Sequence, residues 1–290
     1  MEHPPHDPVI TVVIPTFNRA DTVLRAVRSV LDQRGPAAAV IVVDDGSTDN
    51  TQDVLAAFDD PRLQVVAAVH EGVCAARNRG AALATTPWLG FLDSDDEIVD
   101  GWLQAMTDEL AAGAPLVSCT ADLRYPDGRI EQAPPKPLGP AFGSVTGQYL
   151  AGAFALTAEL FHAVGGYRDG LGYGENTELW MRLGTEVAAR GQTASVVNSA
   201  LVRVAAVDRK YDARRYFDAG VHVLRESGHL LQRDPQLHAT YLAITGVAAT
   251  RCGHRAEGRR LLARAWRIDR RNVRHLARWV RAWLPARRTA

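Results

Sequence analysis

Apolar and polar positions alternate along the first half of the chain in a pattern that predicts strands and helices in turn. Short runs rich in β-branched residues are separated by stretches in which apolar side chains recur at helical spacing, as at Val23, Val27 and Val30. The predicted strands are VITVVIP (9–15), AVIVVDDGS (39–47), LQVVAA (63–68) and WLGFL (88–92). Such alternation predicts an α/β fold, with a mostly parallel mixed sheet and helices on both faces.

The second half of the chain changes in character. ADLRYPDGRIEQ (121–132) predicts a β-hairpin, and the proline- and glycine-rich APPKPLGPAFG (133–143) predicts a loop. A helix that carries Leu179 and Leu183 and a last strand near 194–206 follow, and the pattern from Tyr211 onward is helical. We therefore divide the chain into an α/β domain, residues 1–210, and a C-terminal helical region, residues 211–290.

Composition places the chain among globular proteins that function in a reducing compartment. It has 290 residues, of which 47% are hydrophobic and 23% charged, and no apolar run approaches the ~18 residues of a membrane span. The N-terminus MEHPPHDP lacks the pattern of a secretory signal, and three scattered cysteines argue against a disulfide framework. We therefore expect a cytoplasmic protein.

The formal net charge of zero conceals a basic C-terminus. From Arg251 to the end there are 13 arginines and only 2 acidic residues. The last helix, VRHLARWVRAWLP (273–285), has arginines around an apolar face predicted to contain Leu276, Trp279, Val280, Trp283 and Leu284. This pattern suits peripheral contact with the inner face of a membrane, but a packed helix or a dimer contact is the interpretation that we favour.

Polar and charged side chains follow three of the predicted strands, at the point where each strand ends. They are Thr16, Asn18 and Arg19 after the first strand, Asp44 and Asp45 after the second, and Asp93, Asp95 and Asp96 after the fourth. Since the carboxyl ends of parallel strands meet at one edge, we expect these groups to share a cleft with Arg77 and Arg79. Carboxylates beside arginines suit a nucleoside diphosphate that carries a divalent metal ion.

Other nucleotide-binding classes lack their signatures here. Neither G-x-x-x-x-G-K-[ST] nor G-x-G-x-x-G follows the first strand, which argues against a P-loop nucleotidase and a Rossmann dehydrogenase. A receiver domain requires its acidic pair where this chain has Pro15 and Thr16. A nucleotidyltransferase that makes sugar nucleotides requires a glycine-rich basic loop there. We expect no nucleic acid partner.

Four ordered motifs, VVIPTFNRADTVLRAVRSVLDQ, VVDDGSTDNT, GVCAARNRGAALA and GFLDSDDEI, resemble the family-2 glycosyltransferases with the GT-A fold. The resemblance implies that Thr16, Asp44 and Asp45 hold the base and ribose of a nucleotide sugar, for which we expect uridine. It also implies that Arg77 binds the nucleotide. Asn18 and Arg19 lie in the first motif and belong to the same predicted site.

The resemblance further implies metal-dependent, inverting sugar transfer. Asp93 and Asp95 match the Asp-x-Asp motif that binds Mn²⁺ or Mg²⁺, with Asp95 the principal ligand. The basic pair Arg209 and Lys210 matches a segment that closes over the diphosphate in related enzymes, and a solvated loop is the alternative. The resemblance is compatible with a saccharide, a peptide, a lipid or a small metabolite as the acceptor.

Inverting transfer requires a base on the face of the sugar opposite the nucleotide. In this family a Glu-Asp pair before a helix supplies it, and YGENTELWMRL has Glu175 but Asn176 in place of the aspartate. Either Glu175 or Glu178 acts as the base, or the acceptor ionises easily enough to need a weaker one. The competing hypothesis is a glycosyltransferase-like domain that binds nucleotide sugar or a protein partner without transfer.

Overall fold

A computed structural model of the chain describes residues 7–139, 142, 145–206 and 212–284. These residues form two compact units. The first contains the described residues up to 138, Phe142, and residues 145–170 and 175–206; the second contains Gly139, 171–174 and 212–284.

The first unit alternates strands and helices as predicted, and then adds further strands. Its elements are β1 (Ile10–Thr16), α1 (Val23–Leu31), β2 (Ala38–Asp44), α2 (Thr51–Ala56), β3 (Leu63–Ala67), α3 (Val73–Leu83), β4 (Trp88–Phe91), β5 (Glu97–Ile98), α4 (Trp102–Ala111), β6 (Leu116–Arg124), β7 (Ile130–Ala133), β8 (Lys136–Pro137), β9 (Thr146–Gly147), β10 (Phe154–Thr157), α5 (Ala158–Ala163), α6 (Glu175–Ala189) and β11 (Ser195–Ala205). The strands, helices and hairpin of the sequence analysis are confirmed to within a few residues.

Nine strands of the described chain form one mixed sheet in the order β3-β2-β1-β4-β10-β6-β11-β5, with β7 paired to β6. β1, β2, β3 and β4 are parallel to one another, and β6 is parallel to β11. β10 is antiparallel to both of its neighbours, β4 and β6. The prediction of a mostly parallel mixed sheet is therefore confirmed.

Helices cover both faces of this sheet because alternate residues of each strand point to opposite sides. Val40 and Val42 of β2 pack in the main core with apolar residues of α1 and α4. Ile41 and Val43 of the same strand pack against Ala76 of α3 on the other side. The carboxyl ends of β1, β2 and β4 are thereby held at one edge.

Some elements were missed by the sequence analysis. α4 buries Trp102, Leu103, Met106 and Leu110, whose spacing is a helical signal that was present in the sequence. β10 is only four residues long and is recognised by its pairing partners rather than by its own pattern. The segment predicted as a loop contains the short strand β8, which pairs with β9; residues 140, 141, 143 and 144 lie outside the described part.

The second unit is helical, as predicted. Its helices are α7 (Ala213–Glu226), α8 (Gly228–Leu231), α9 (Pro235–Arg251), α10 (Arg255–Ile268) and α11 (Val273–Arg281). Ala239, Leu242, Ala243, Leu262 and Ala265 form its core. Across the described ranges, no helix combines the length and the apolar character needed to cross a bilayer.

Candidate functional site

The loops that follow β1 and β2 are joined by Asn18. Its Oδ1 accepts hydrogen bonds from the backbone amides of Thr48 (2.8 Å) and Asp49 (3.3 Å), while its own amide donates to Ser47 Oγ (2.9 Å). Asn18 has a φ of 52°, a left-handed conformation that asparagine tolerates better than most residues. Asn18 therefore shapes the edge of the predicted site.

Asp44 and Thr16 lie side by side at the ends of β2 and β1. Asp44 is fully buried: Oδ1 accepts from the Ser47 amide (3.0 Å), and Oδ2 accepts from Gln52 Nε2 (2.7 Å). Thr16 is only 3% exposed, and its hydroxyl has no hydrogen-bond partner among the residues described. Because a buried hydroxyl is normally hydrogen-bonded, Thr16 Oγ1 is an atom at this edge to which a ligand would supply the missing hydrogen bond.

Asp45 holds the loop that leads into α3. Its carboxylate accepts from the backbone amides of Glu71 (2.8 Å) and Gly72 (2.9 Å), and His70 Nδ1 lies 3.0 Å from Oδ2. The ring of His70 lies 4.3 Å from that of Phe17, and both residues are exposed. This aromatic pair, adjacent to Asp45, was missed by the sequence analysis; Phe17 was signalled only by its position after Thr16.

Arg77 joins two parts of the predicted site that lie far apart in the sequence. It is only 1% exposed, and its Nη2 lies 2.6 Å from Asp93 Oδ1 while Nη1 lies 3.2 Å from Glu175 Oε1. Its guanidinium carbon lies 4.9 Å from the centre of the Tyr167 ring. Nε makes no hydrogen bond to any described residue, although it is buried. Arg79, by contrast, pairs with Glu71 and does not join this cluster.

The segment DSDD after β4 concentrates negative charge. The side chains of Asp93 and Asp95 are 40% and 39% exposed, and Asp95 Oδ2 lies 3.7 Å from Arg19 Nη2. Asp96 is buried and accepts from the Ala205 amide at 2.8 Å. Burial, with the nearby charges of Asp93 and Asp95, raises the pKa of Asp96 to about 8.

A divalent metal ion fits the chemistry of this segment. Mg²⁺ and Mn²⁺ prefer one or two carboxylates together with phosphate oxygens and water, and Asp93 and Asp95 present two accessible carboxylates. Over the ranges that the structure describes, no cluster of three or more acidic, histidine or cysteine residues is arranged to bind a metal. A diphosphate and water are the ligands that such an ion usually takes in addition to one or two carboxylates.

The first turn of α6 contains the predicted base. Glu175 begins the helix, and its side chain is 17% exposed. Asn176 is buried, and its Oδ1 accepts a hydrogen bond from the Tyr167 hydroxyl at 2.8 Å. The side-chain oxygen of Asn176 is thus hydrogen-bonded inside the protein.

The structure argues against Glu178 as a base. Its side chain is fully buried, and its oxygens lie 2.5 Å from Arg182 Nη2 and 3.1 Å from Arg168 Nε. A carboxylate in this position has no access to an acceptor hydroxyl. Trp180 of the same helix is also fully buried, with its ring 5.4 Å from that of Phe154. The predicted site residues Arg209 and Lys210 lie outside the described residues.

Solved structures establish the class of fold. The structure of TarS 1–349 from S. aureus superimposes with a TM-score of 0.65 at 17% sequence identity, and the match covers 94% of this chain and 88% of TarS 1–349. TarS 1–349 in complex with UDP-GlcNAc gives the same TM-score at 16% identity, covering 94% of this chain and 89% of that one. The predicted GT-A fold is therefore confirmed.

The sequence model of Glycosyl transferase family 2 matches residues 11–167, more than half of the chain, and the chain belongs to this family. Succinoglycan biosynthesis protein ExoO from Rhizobium meliloti is 40% identical over 124 residues, which are 42% of this chain and 36% of ExoO. Validoxylamine A glucosyltransferase from Streptomyces hygroscopicus subsp. jinggangensis is 38% identical over 116 residues, 38% of this chain and 27% of that enzyme. The chain thus matches only about a third of the length of these curated relatives.

Proposed function

We propose that this chain transfers a sugar from a uridine diphosphate sugar to an acceptor nucleophile, with inversion and with the help of a divalent metal ion. The observation that carries the proposal is the bridge made by Arg77. This buried cation contacts Asp93 of the predicted metal site and Glu175, the predicted base. These two contacts support a site in which the donor's diphosphate and the acceptor's nucleophile lie close together. The complex of TarS with UDP-GlcNAc supports the choice of donor class.

The proposed donor site lies along the ends of β1 and β2. The unsatisfied hydroxyl of Thr16 and the remaining lone pairs of Asp44 and Asp45 suit the hydrogen-bonding groups of a base and ribose. The exposed Phe17 ring offers a surface for a planar base. Arg19, beside Asp95, would bind the diphosphate.

Asp93 and Asp95 would hold the metal ion. When bound, the ion would stabilise the negative charge that develops on the departing diphosphate. Arg77 fixes the position of the Asp93 carboxylate through a charge-assisted hydrogen bond of 2.6 Å.

Glu175 is the base in this proposal. It takes the proton from the acceptor as the acceptor oxygen attacks the anomeric carbon. Its contact with the buried guanidinium of Arg77 orients the carboxylate at the start of α6. Asn176 has no basic oxygen at neutral pH, and the buried Glu178 is assigned a structural role, so the proton transfer rests on Glu175 alone.

The test combines calorimetric titration of uridine diphosphate, with and without Mn²⁺, and a screen of nucleotide sugars for hydrolysis and transfer. Asp95→Asn should abolish the Mn²⁺-dependent part of the binding, whereas Asp53→Asn, an exposed carboxylate of α2, should not. Glu175→Gln should retain donor binding and lower the transfer rate by about 10²–10⁴-fold. The exposed Glu159 supplies the matched Glu→Gln control. Full transfer by Glu175→Gln would reject the assigned base.

Binding of nucleotide sugar without transfer is the second candidate function. It is favoured by Asn176, an amide held by Tyr167 where the family has a carboxylate. Asn176→Asp distinguishes the two functions. If the unsubstituted chain binds uridine diphosphate sugars but transfers none, and Asn176→Asp restores transfer, the chain is a binding module.

A further inference from the structure

The end of the second unit exposes apolar side chains close together. Val273, Val280, Trp283 and Leu284 are 69%, 52%, 60% and 60% exposed. All four lie in α11 or in the three residues that follow it. Exposed apolar groups scattered singly need no explanation, whereas a concentration of this kind marks an interaction surface.

These side chains do not lie on the face of α11 that packs into its own unit. His275 is buried, and Trp279 and Ala282 pack against the core of the unit. A separate line of exposed residues recurs at helical spacing along the solvent side. It consists of Val273, Ala277, Val280 and Leu284, which we call the apolar stripe. The single apolar face predicted from the sequence is thus divided, because Trp279 turns inward while Val280 and Leu284 turn outward.

Arginines lie directly beside the apolar stripe. The exposed residues that flank it or precede it are Arg270, Arg271, Arg274, Arg278 and Arg281, and none of them forms a salt bridge with a residue in the described ranges. The two acidic residues of this region are engaged elsewhere, Glu257 with Arg260 and Asp269 with His275. Arg287 and Arg288 follow in the sequence. The surface therefore combines exposed apolar side chains with charges that are all positive.

We propose that the apolar stripe and its flanking arginines dock on an anionic lipid bilayer, with α11 parallel to the membrane surface. A helix of this type places its apolar side chains at the boundary of headgroups and acyl chains, while arginines contact lipid phosphates. Trp283, whose ring stacks on Arg259 at 4.1 Å yet stays exposed, suits the headgroup depth that tryptophan prefers.

Charge complementarity selects the bilayer over other occupants. An anionic leaflet offers a continuous negative surface to arginines that all have the same sign. A second copy of α11 packed on the stripe would bring the two rows of arginines together and would be repelled. The proposal is independent of the donor site, because no residue of the apolar stripe and none of its flanking arginines is a proposed donor residue.

The experiment is co-sedimentation of the full chain with vesicles of mixed phosphatidylglycerol and phosphatidylcholine, and with vesicles of phosphatidylcholine alone. We expect binding to the mixed vesicles only, and we expect high salt to weaken it. Arg274→Gln, Arg278→Gln and Arg281→Gln should each weaken binding about fivefold. Val280→Gln with Leu284→Gln should weaken it by at least tenfold, since these changes remove the exposed apolar groups that enter the interface.

Matched control variants test whether vesicle binding depends on this surface or on charged and apolar side chains anywhere on the protein. Arg34→Gln and Arg233→Gln change exposed arginines outside the basic C-terminus, and Val65→Gln with Ile130→Gln changes exposed apolar residues of the sheet. These variants should bind as the parent chain does. Equal binding to both vesicle types, no binding to either, or equal losses in control and test variants would overturn the proposal. So would a dimer in light scattering that Val280→Gln with Leu284→Gln dissociates, because a second copy would then cover the stripe.

Discussion

Glu178 provides the sharpest test of how the structure divides roles within α6. The sequence analysis assigned it as a candidate base, whereas the structure buries it completely against Arg182 and Arg168. We predict that Glu178→Gln destabilises the fold and leaves the chemistry of the remaining folded enzyme intact. Glu175→Gln should lower the transfer rate and cost less stability, because Arg77 keeps its other charged partner, Asp93.

The expected magnitude follows from what the substitution leaves behind. Arg182 is 9% exposed, and the Glu178 carboxylate accepts from its Nε at 2.8 Å and its Nη2 at 2.5 Å. After Glu178→Gln the guanidinium keeps its bond to the Val164 carbonyl at 2.7 Å but loses its counter-charge. Breaking one side of a buried ion pair costs about 3–5 kcal/mol of unfolding free energy. Arg168 contributes little to this loss, because its side chain is 37% exposed and can turn to water.

The assay is urea unfolding of Glu178→Gln, Glu175→Gln and the parent chain, together with transfer rates at low temperature. With a denaturant slope of about 3 kcal/mol/M, Glu178→Gln should lower the unfolding midpoint by roughly 1–1.7 M. The double change Glu178→Leu with Arg182→Leu should recover most of this loss, because no buried charge is then left unpaired. A Glu178→Gln variant with an unchanged midpoint and abolished transfer would refute the reasoning.

Two further predictions concern stability. The pKa of Asp96 is about 8 in the folded state, whereas an aspartate in an unfolded chain has a pKa of about 4. Between these two pH values the folded state of the metal-free protein binds more protons than the unfolded state. The free energy of unfolding should therefore fall as the pH rises from about 4 to about 8. Asp96→Asn should flatten this fall in unfolding midpoints measured across the range, and an unchanged slope would contradict the assignment. Gly80 of α3 faces Val13 of β1 so closely that a Cβ would overlap its methyl groups. Gly80→Ala should therefore lower the free energy of unfolding by about 1–3 kcal/mol, although alanine has the better helix propensity. Val13→Ala in the same chain should relieve this loss. Thermal unfolding of the single and double variants measures both effects.

Much of the fold was predictable because its signals are local. The alternation of β-branched runs with helical spacing up to residue 92 depends only on neighbouring positions, and so does the placement of Asp44, Asp45, Asp93 and Asp95 at strand ends. β10 was not predictable in this way. Four residues carry little periodicity, and their antiparallel place between β4 and β6 is decided by pairing with distant strands.

The same distinction between local signals and distant contacts decides which features of the candidate site could be predicted. Its residue types and their order along the chain were determined by the sequence alone, and so was the replacement of the family's aspartate by Asn176. The contact of Arg77 with Glu175 joins positions 98 residues apart, which no local pattern contains. The burial of Glu178 was equally hidden, because α6 is covered on most sides and its polar positions no longer mark a solvent face. Only the tertiary structure could separate the partly exposed carboxylate of Glu175 from the buried carboxylate of Glu178, which neutralises an arginine, since that difference depends on what packs around each side chain.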